Sequence, residues 1–316
     1  MFAVRVYYWC TAILLLALLT GSSKSAWSDE AGHSAWTARY TFAYTREDTA
    51  AFPDFVPGTA ESTSNSVEFE NASRSGLIIL LSATHMDYVV VDDVTPAGFS
   101  KPGELGWQSV EFQASVTADI LGIQTKPSVV IGVADYHLSR PDPLVAATAL
   151  ADSKGWNIEL HQSLSKLIPL TDWLFLNPTV ALEFSYLTVD PFTERGAGAA
   201  NVSFGRLDDH RFRLDSGAQI GAVFPAGSFG TVSVLAEALW QHNVLTGPYK
   251  AQASSALLGN LGNVALARGP EANGASLSGT ITWNTPNFGE LTAGYSGQFF
   301  KSTTTHTVGI TAGFRF

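Results

Sequence analysis

The sequence predicts an all-β protein, a transmembrane antiparallel β-barrel of about 12 strands, on three observations. First, 46% of the 316 residues are hydrophobic and only 15% are charged, whereas soluble domains carry about 25% charged residues. Second, apolar and polar side chains alternate in many long segments, as expected for strands that span a bilayer. Third, after residue 25 no apolar run is long enough for a membrane helix. Because only helices and closed barrels satisfy the backbone in lipid, a membrane protein of this kind must be a barrel.

The first 25 residues predict a secretory signal peptide. Arg5 supplies a short positive region, residues 11–20 form an apolar core, and Ser23 and Ser25 are small residues at the −3 and −1 positions of a cleavage site. The alternative is an N-terminal membrane anchor, for which the apolar run 6–20 is short. We therefore expect a signal peptide at 1–25, a short N-terminal segment at 26–34 and the barrel at 35–316.

Composition excludes several classes of site and partner. The single cysteine, Cys10, lies in the signal peptide, so the mature chain has no disulfide and no thiolate metal site. The mature chain has 16 basic and 28 acidic residues, a net charge of −12, and no basic patch for nucleic acid. No metal or cofactor is expected, because the seven histidines are scattered without ligand spacing: His33, His85, His137, His161, His210, His242 and His306.

The alternation assigns each strand one face toward lipid and one toward the lumen. In 109–120 the apolar set is Val110, Phe112, Ala114, Val116, Ala118 and Ile120. The polar faces of all strands together carry Glu111, Asp119, Glu159, Glu183, Asp215, Glu237, Arg39, Arg213, Arg315 and His161. These charges are interpreted as a ladder that pairs across neighbouring strands. The alternative is a solute-selective lining, whose acidic character would favour cations.

Thirteen segments have strand patterns, and bacterial barrels usually hold an even number. The segments are 35–45, 65–71, 77–91, 107–120, 127–138, 154–163, 173–187, 197–206, 210–224, 229–243, 274–285, 289–300 and 304–316. Merging or dropping one near 65–91 gives twelve. The tight connections 225–230 and 284–289 predict periplasmic turns, and the long connection 244–273 predicts an outer loop.

The C-terminal half resembles the translocator β-barrel domain of autotransporters, the type V secretion family. The motifs are Phe192-Thr193-Glu194, Trp240 with His242, an Arg-Gly loop at 268–269 and an aromatic-x-aromatic end at 314–316. The resemblance implies an outer-membrane location and insertion by the barrel-assembly machinery, which reads Phe314 and Phe316. It also implies secretion of a passenger through the pore. No passenger domain is expected here, because about ten residues separate the signal peptide from the first strand.

Two groups of residues are candidates for chemistry. Trp240 and His242 share a strand face and are interpreted as interfacial residues rather than as a lumen contact. Some outer-membrane barrels are hydrolases, and two polar clusters offer serine, histidine and aspartate: Ser82, His85 and Asp87, and Asp135, His137 and Ser139. No nucleophile-elbow G-x-S-x-G pattern occurs in 26–316. We therefore expect no enzyme and no catalytic, cofactor-binding or metal-binding residues.

The function expected from these observations is a pore, an orphan translocator or a surface protein of the outer membrane. One alternative is a surface-binding or adhesion barrel that contacts a ligand through loop 244–273. A second, less favoured alternative is an outer-membrane hydrolase. The predicted partners are outer-membrane lipid and the barrel-assembly machinery.

Overall fold

Twelve long antiparallel strands form one closed sheet in the computed structural model, which describes residues 35–49, 58–72, 77–91, 104–142, 145–267, 269–286 and 289–315. The strands are β1 (Ala35–Thr49), β2 (Gly58–Ala72), β3 (Leu77–Val91), β4 (Glu104–Val116), β5 (Ile123–Asp142), β6 (Ala147–Ser165), β7 (Leu174–Val189), β8 (Leu207–Pro225), β9 (Thr231–Asn243), β10 (Asn273–Thr285), β11 (Gly289–Phe300) and β12 (Thr303–Arg315). Each strand pairs with the next, and β12 pairs with β1 to close the barrel. The predicted fold class is confirmed.

The two faces of the sheet differ as the alternation predicted. On β4, Phe112 is 44% exposed on the outer face, whereas the neighbouring Ser115 on the lumen face is 4% exposed. Exposed aliphatic and aromatic side chains continue around the outer wall, for example Ile131, Ile281 and Ile310. Since an apolar outer band is what lipid requires, the exposed apolar surface is explained by a bilayer.

The two ends of the barrel differ in their connections. Strands β2, β4, β6, β8 and β10 end on the side of the barrel where β1 begins and β12 ends. The turn after β4 is tight because Leu121 and Gly122 have φ of 57° and 78°, the left-handed region that a hairpin of this kind requires. The other end carries the connections 190–206 and 244–272. The predicted grouping of 225–230 and 284–289 at one end, and of 244–273 at the other, is confirmed.

Two strand assignments from the sequence are corrected. Residues 65–71 and 77–91 belong to separate strands, β2 and β3, so nothing near 65–91 is merged or dropped. The segment to remove is 197–206, which contains a short 3₁₀ helix, Gly198–Ala200, and only a three-residue strand, Val202–Phe204. Gly198 has φ of 60°, so the backbone turns where a membrane strand would have to remain extended.

A second, smaller sheet stands at the end of the barrel that carries the long connections. Its four strands are Phe192–Thr193, Val202–Phe204, Tyr249–Ser255 and Gly259–Ala267. Both long connections contribute to it, so the two loops fold together. Two further short strands, Ala118–Ile120 and Ile168–Pro169, extend the barrel sheet at its opposite end.

Within the described ranges, no helix has the length and apolar character needed to cross a membrane. Three regions with predicted roles lie outside the described residues: the signal peptide 1–25, the segment 26–34 and the terminal Phe316. Their roles stay predictions.

Candidate functional site: the lumen and its mouth

The lumen near the short-turn end is crossed by an arginine that holds two carboxylates. Arg39 on β1 pairs with Glu70 on β2, and its Nε lies 2.5 Å from Oε1 of Glu290 on β11. Strand β12 separates β11 from β1, so the Glu290 side chain must pass over it. Gly313 permits this, because a Cβ added there would lie 2.7 Å from Cγ of Glu290. The three side chains therefore tie β11, β1 and β2 together across β12, at the seam where the barrel closes.

A second arginine cluster lies farther up the lumen. Arg213 donates from Nη2 to Glu183 at 2.8 Å and from Nε to Asp215 at 3.1 Å. Glu183 lies opposite Arg213 on β7, and Asp215 is two residues along β8 on the same face. Both carboxylates were predicted on the lumen face, and the alternation therefore found the members of this cluster.

Between these clusters the lumen carries carboxylates without a basic partner. In the described part of the chain, Glu111, Glu159 and Glu237 form no ion pair. Asn157 donates to Glu159 at 3.2 Å. Gly132 lies between Glu111 and Asn157 across the sheet, and a Cβ there would come within 2.3 Å of the Asn157 amide oxygen. The small residue leaves room for the polar side chains around it.

The mouth of the lumen is partly covered by the chain after β9. Arg211 donates to the carbonyl oxygens of Leu245 at 3.2 Å and Gly247 at 2.8 Å. Its guanidinium lies 4.2 Å from the ring centroid of Tyr249, a cation–π geometry. A cavity of about 330 Å³ remains beneath, lined in part by Arg213 and Phe300. The sequence analysis did not identify Arg211. This residue is two positions before Arg213 on the same strand face, so the alternation could have placed it in the lumen.

The small sheet is anchored to the barrel by a buried carboxylate. Glu194 is 2% exposed and accepts hydrogen bonds from Arg140 at 2.9 and 2.7 Å and from the Val202 amide at 2.9 Å. Phe192 packs on Phe204 with ring centroids 4.8 Å apart. The motif Phe192-Thr193-Glu194 thus holds the outer loops in place.

The remaining predicted residues have mixed outcomes. Glu111, Glu159, Glu183, Asp215, Glu237, Arg39, Arg213 and His161 lie on the lumen face by register. Asp119 also has lumen parity, since it pairs with Gln124 at the short-turn end of the sheet, and its carboxylate accepts the Gly122 amide at 2.9 Å. Arg315 is exposed at the end of β12. Trp240 and His242 stack on the outer face with ring centroids 5.4 Å apart, as the interfacial interpretation requires.

The two serine–histidine–aspartate clusters differ in whether their members share one face of the sheet. On β3, Ser82 has lumen parity while His85 and Asp87 lie on the outer face, so that cluster is separated. On β5, Asp135, His137 and Ser139 all share the outer face.

Among the described residues no three His, Cys, Asp or Glu side chains converge as a metal-ligand set.

The sequence of the barrel also matches a known protein family. The sequence profile described as the autotransporter β-domain matches residues 128–296, more than half of the chain. The chain belongs to the autotransporter β-domain family. The matched range contains the lumen cluster around Arg213 and the Glu194 anchor, and it lies within the closed barrel.

Solved autotransporter β-domains have the same fold. The translocator domain of NalP from Neisseria meningitidis superposes with a TM-score of 0.65 at 14% identity, covering 98% of each chain. The transport unit of AIDA-I from Escherichia coli gives 0.57 at 12% identity, covering 96% of this chain and 97% of that one. The β domain of the Bordetella autotransporter BrkA gives 0.56 at 12% identity, covering 88% and 99%. No curated protein sequence matches.

This autotransporter β-domain is an outer-membrane protein, and its apolar outer wall contacts lipid. In bacterial barrels the short turns face the periplasm and the long loops face outward. The small sheet and the mouth cavity therefore lie at the extracellular end.

Proposed function

We propose that this autotransporter β-domain acts as a pore and translocator, a polar conduit across the outer membrane whose acidic wall favours cations. The observation that carries the proposal is that several lumen carboxylates form no ion pair in the described residues, among them Glu111, Glu159 and Glu237. Rings of acidic side chains favour cations in other channels. The function needs no bond making or breaking in the lumen.

Conductance in planar lipid bilayers tests this proposal. In a potassium chloride gradient, the folded protein is expected to give a reversal potential of the sign that reports cation preference. Neutralising Glu111→Gln with Glu159→Gln should move the reversal potential toward zero. The matched control, Asp48→Asn with Glu61→Gln, removes two carboxylates from the outer face and should leave it unchanged. Absence of any conductance from the folded barrel, or anion preference, would contradict the proposal.

The conduit is proposed to admit an extended polypeptide as well as small ions. The solved relatives are described as a translocator domain and a transport unit, which supports this extension. A reporter peptide joined before β1 and displayed on intact cells would support it, and a reporter retained in the periplasm by a folded barrel would argue against it.

A second candidate function is ligand binding by loop 244–273. It is favoured by the folded extracellular sheet, in which Tyr249–Ser255 pairs with Gly259–Ala267 and with Val202–Phe204. Ordered loops bind with a smaller entropy loss than flexible ones. Deletion of 249–267 with retained barrel folding should abolish surface binding and leave conductance in place.

The barrel-assembly machinery remains a proposed partner that reads Phe314 and Phe316. Phe314 lies on the outer face of β12, opposite Ala38 on β1, where it is accessible before the barrel closes. Phe314→Ser is expected to lower the amount of folded protein in the outer membrane, while refolding of the purified chain into detergent should be unaffected.

A further inference from the structure

On the outer wall near the extracellular end, a cavity of about 540 Å³ contains a histidine–aspartate pair. Nδ1 of His137 on β5 lies 2.6 Å from Oδ1 of Asp152 on β6, directly across the strand pair. Arg195 donates to the other oxygen of Asp152 at 2.5 Å. A carboxylate on one imidazole nitrogen fixes the tautomer and leaves the other nitrogen to act as a base.

A serine shares this cavity. Ser139 is two residues beyond His137 on the same face of β5 and lines the same cavity. Alternate residues of a strand are about 6.6 Å apart, so their side chains are neighbours. The order is histidine, serine and then aspartate on the next strand, and triads are recognised by such roles rather than by chain order.

The floor of the cavity is open because of a glycine. Asp87, Gly106, His137 and Asp152 form one row across β3 to β6. Gly106 has no side chain, and a Cβ added there would lie 3.4 Å from Oδ1 of Asp87. This gap separates Asp87 from His137 and gives a small group access to the histidine.

The position of the cavity identifies the type of ligand. Val133 and Trp156 form an exposed apolar pair lower on the same two strands. His137 is four residues farther along β5, about 13 Å at 3.3 Å per residue and roughly 9 Å higher for a strand tilted by about 45°. The cavity therefore lies above this apolar pair, toward the outer-leaflet side of the wall. Leu150, exposed and opposite Ser139, continues the apolar surface.

We propose that this cavity is a lipid esterase site in which Ser139 is the nucleophile, His137 the general base and Asp152 the positioning residue. Ser139 Oγ attacks the ester carbonyl carbon while His137 accepts the hydroxyl proton. The tetrahedral oxyanion forms beside the positive charge of Arg195, which stabilises it. Its collapse breaks the ester bond, and His137 protonates the leaving alcohol. Water then hydrolyses the acyl-serine with His137 as base, which releases the fatty acid and restores Ser139. The substrate class is a fatty-acyl ester of an outer-leaflet lipid.

Labelling by a fluorophosphonate probe tests the nucleophile on the purified full-length barrel in detergent. The serine oxygen displaces fluoride from phosphorus, so peptide mass spectrometry locates the product. Attachment is expected at Ser139, with complete loss in Ser139→Ala and a loss of about 10²–10⁴-fold in rate for His137→Gln. Ser128→Ala on the lumen face of β5 is the matched control and should label normally. Heat-modified gel mobility establishes that every variant is folded.

Two further variants separate chemistry from structure. Asp152→Asn should lose labelling. Asp152→Glu should retain part of it, because it keeps a carboxylate beside His137, and loss of a structural contact alone would not give this rescue. Gly106→Val fills the floor without altering the three residues and should block the probe. Fatty-acid release from phosphatidylethanolamine vesicles or from lipopolysaccharide then distinguishes the two lipid sources. No labelling of the folded parent, labelling at another serine, labelling that survives His137→Gln, or no acid from either lipid would each overturn the proposal. None of these results depends on conductance through the lumen.

Discussion

Two arginines in the lumen, Arg39 and Arg213, each hold two acidic side chains, and the surroundings of an arginine determine what such a contact contributes. Arg213 lies between Glu183 and Asp215 with 32% of its side chain exposed. Arg46 lies between Asp48 and Glu61 on the outer rim with 49% exposed. Exposed ion pairs contribute about 0–1 kcal/mol, whereas removal of one partner from a buried pair costs about 3–5 kcal/mol.

Arg213 and Arg46 form a matched test of lumen charge pairing. Arg213→Met is expected to lower the free energy of unfolding by about 2 kcal/mol, between the buried and exposed limits, because Glu183 and Asp215 then face each other unpaired. Arg46→Met should cost less than about 1 kcal/mol. Urea unfolding in lipid vesicles, followed by tryptophan fluorescence, measures both. Equal losses would show that the lumen is as well solvated as the rim.

At the residue scale, alternation predicts the face of a side chain but not its partner. It placed Glu183, Arg213 and Asp215 in the lumen correctly. It could not show that Glu290 reaches Arg39 across β12, because that contact depends on Gly313 in a third strand. It also could not show that the Asp119 carboxylate binds the Gly122 amide at the end of the hairpin.

At the element scale, the sequence predicted the number of strands but removed the wrong segment. Residues 58–64 of β2 are glycine, alanine, threonine, glutamate and serine, with no large apolar side chain, so the period-two signal begins only near residue 65. By contrast, 197–206 has alternating Val202 and Phe204, and these residues pack in a small extracellular sheet instead. A local sequence pattern does not show pairing between loops that are distant in sequence.

The assignment of the turns can be tested with single cysteines, because residues 26–316 contain none. Ala256→Cys, in the turn that joins two strands of the extracellular sheet, should react with a membrane-impermeant maleimide on intact cells. Ser228→Cys, in the turn between β8 and β9 at the opposite end, should react only after the outer membrane is permeabilised. Labelling of Ser228→Cys on intact cells would invert the assigned orientation.

At the scale of the whole molecule, the barrel exists only when β12 meets β1. The register pairs Thr37 with Arg315 and Thr49 with Thr303, so the seam runs along the full length of both strands. Closure removes the two sheet edges that would otherwise lack hydrogen-bond partners in lipid. The alternation near the C-terminus is thus explained by a strand that has lipid on one side and the lumen on the other.

Engineered disulfides test this closure directly. Thr41 and Thr311 face each other across the seam with their hydroxyl oxygens 2.8 Å apart, although 270 residues separate them in sequence. Paired residues of antiparallel strands have Cα separations of about 4.5–5.5 Å, within the range of a disulfide. Thr41→Cys with Thr311→Cys should therefore cross-link on mild oxidation and shift the mobility of the denatured chain.

Two control pairs show whether the cross-link between β1 and β12 reports barrel closure. Thr282 and Thr292 face each other in the same way between β10 and β11, with oxygens 2.9 Å apart, and their double cysteine variant should cross-link as readily. Thr41→Cys with Thr292→Cys joins strands that are not neighbours, since β12 lies between them, and should not cross-link. If the β10–β11 pair cross-links and the seam pair does not, the sheet is open in the membrane, and a sealed polar lumen is no longer tenable.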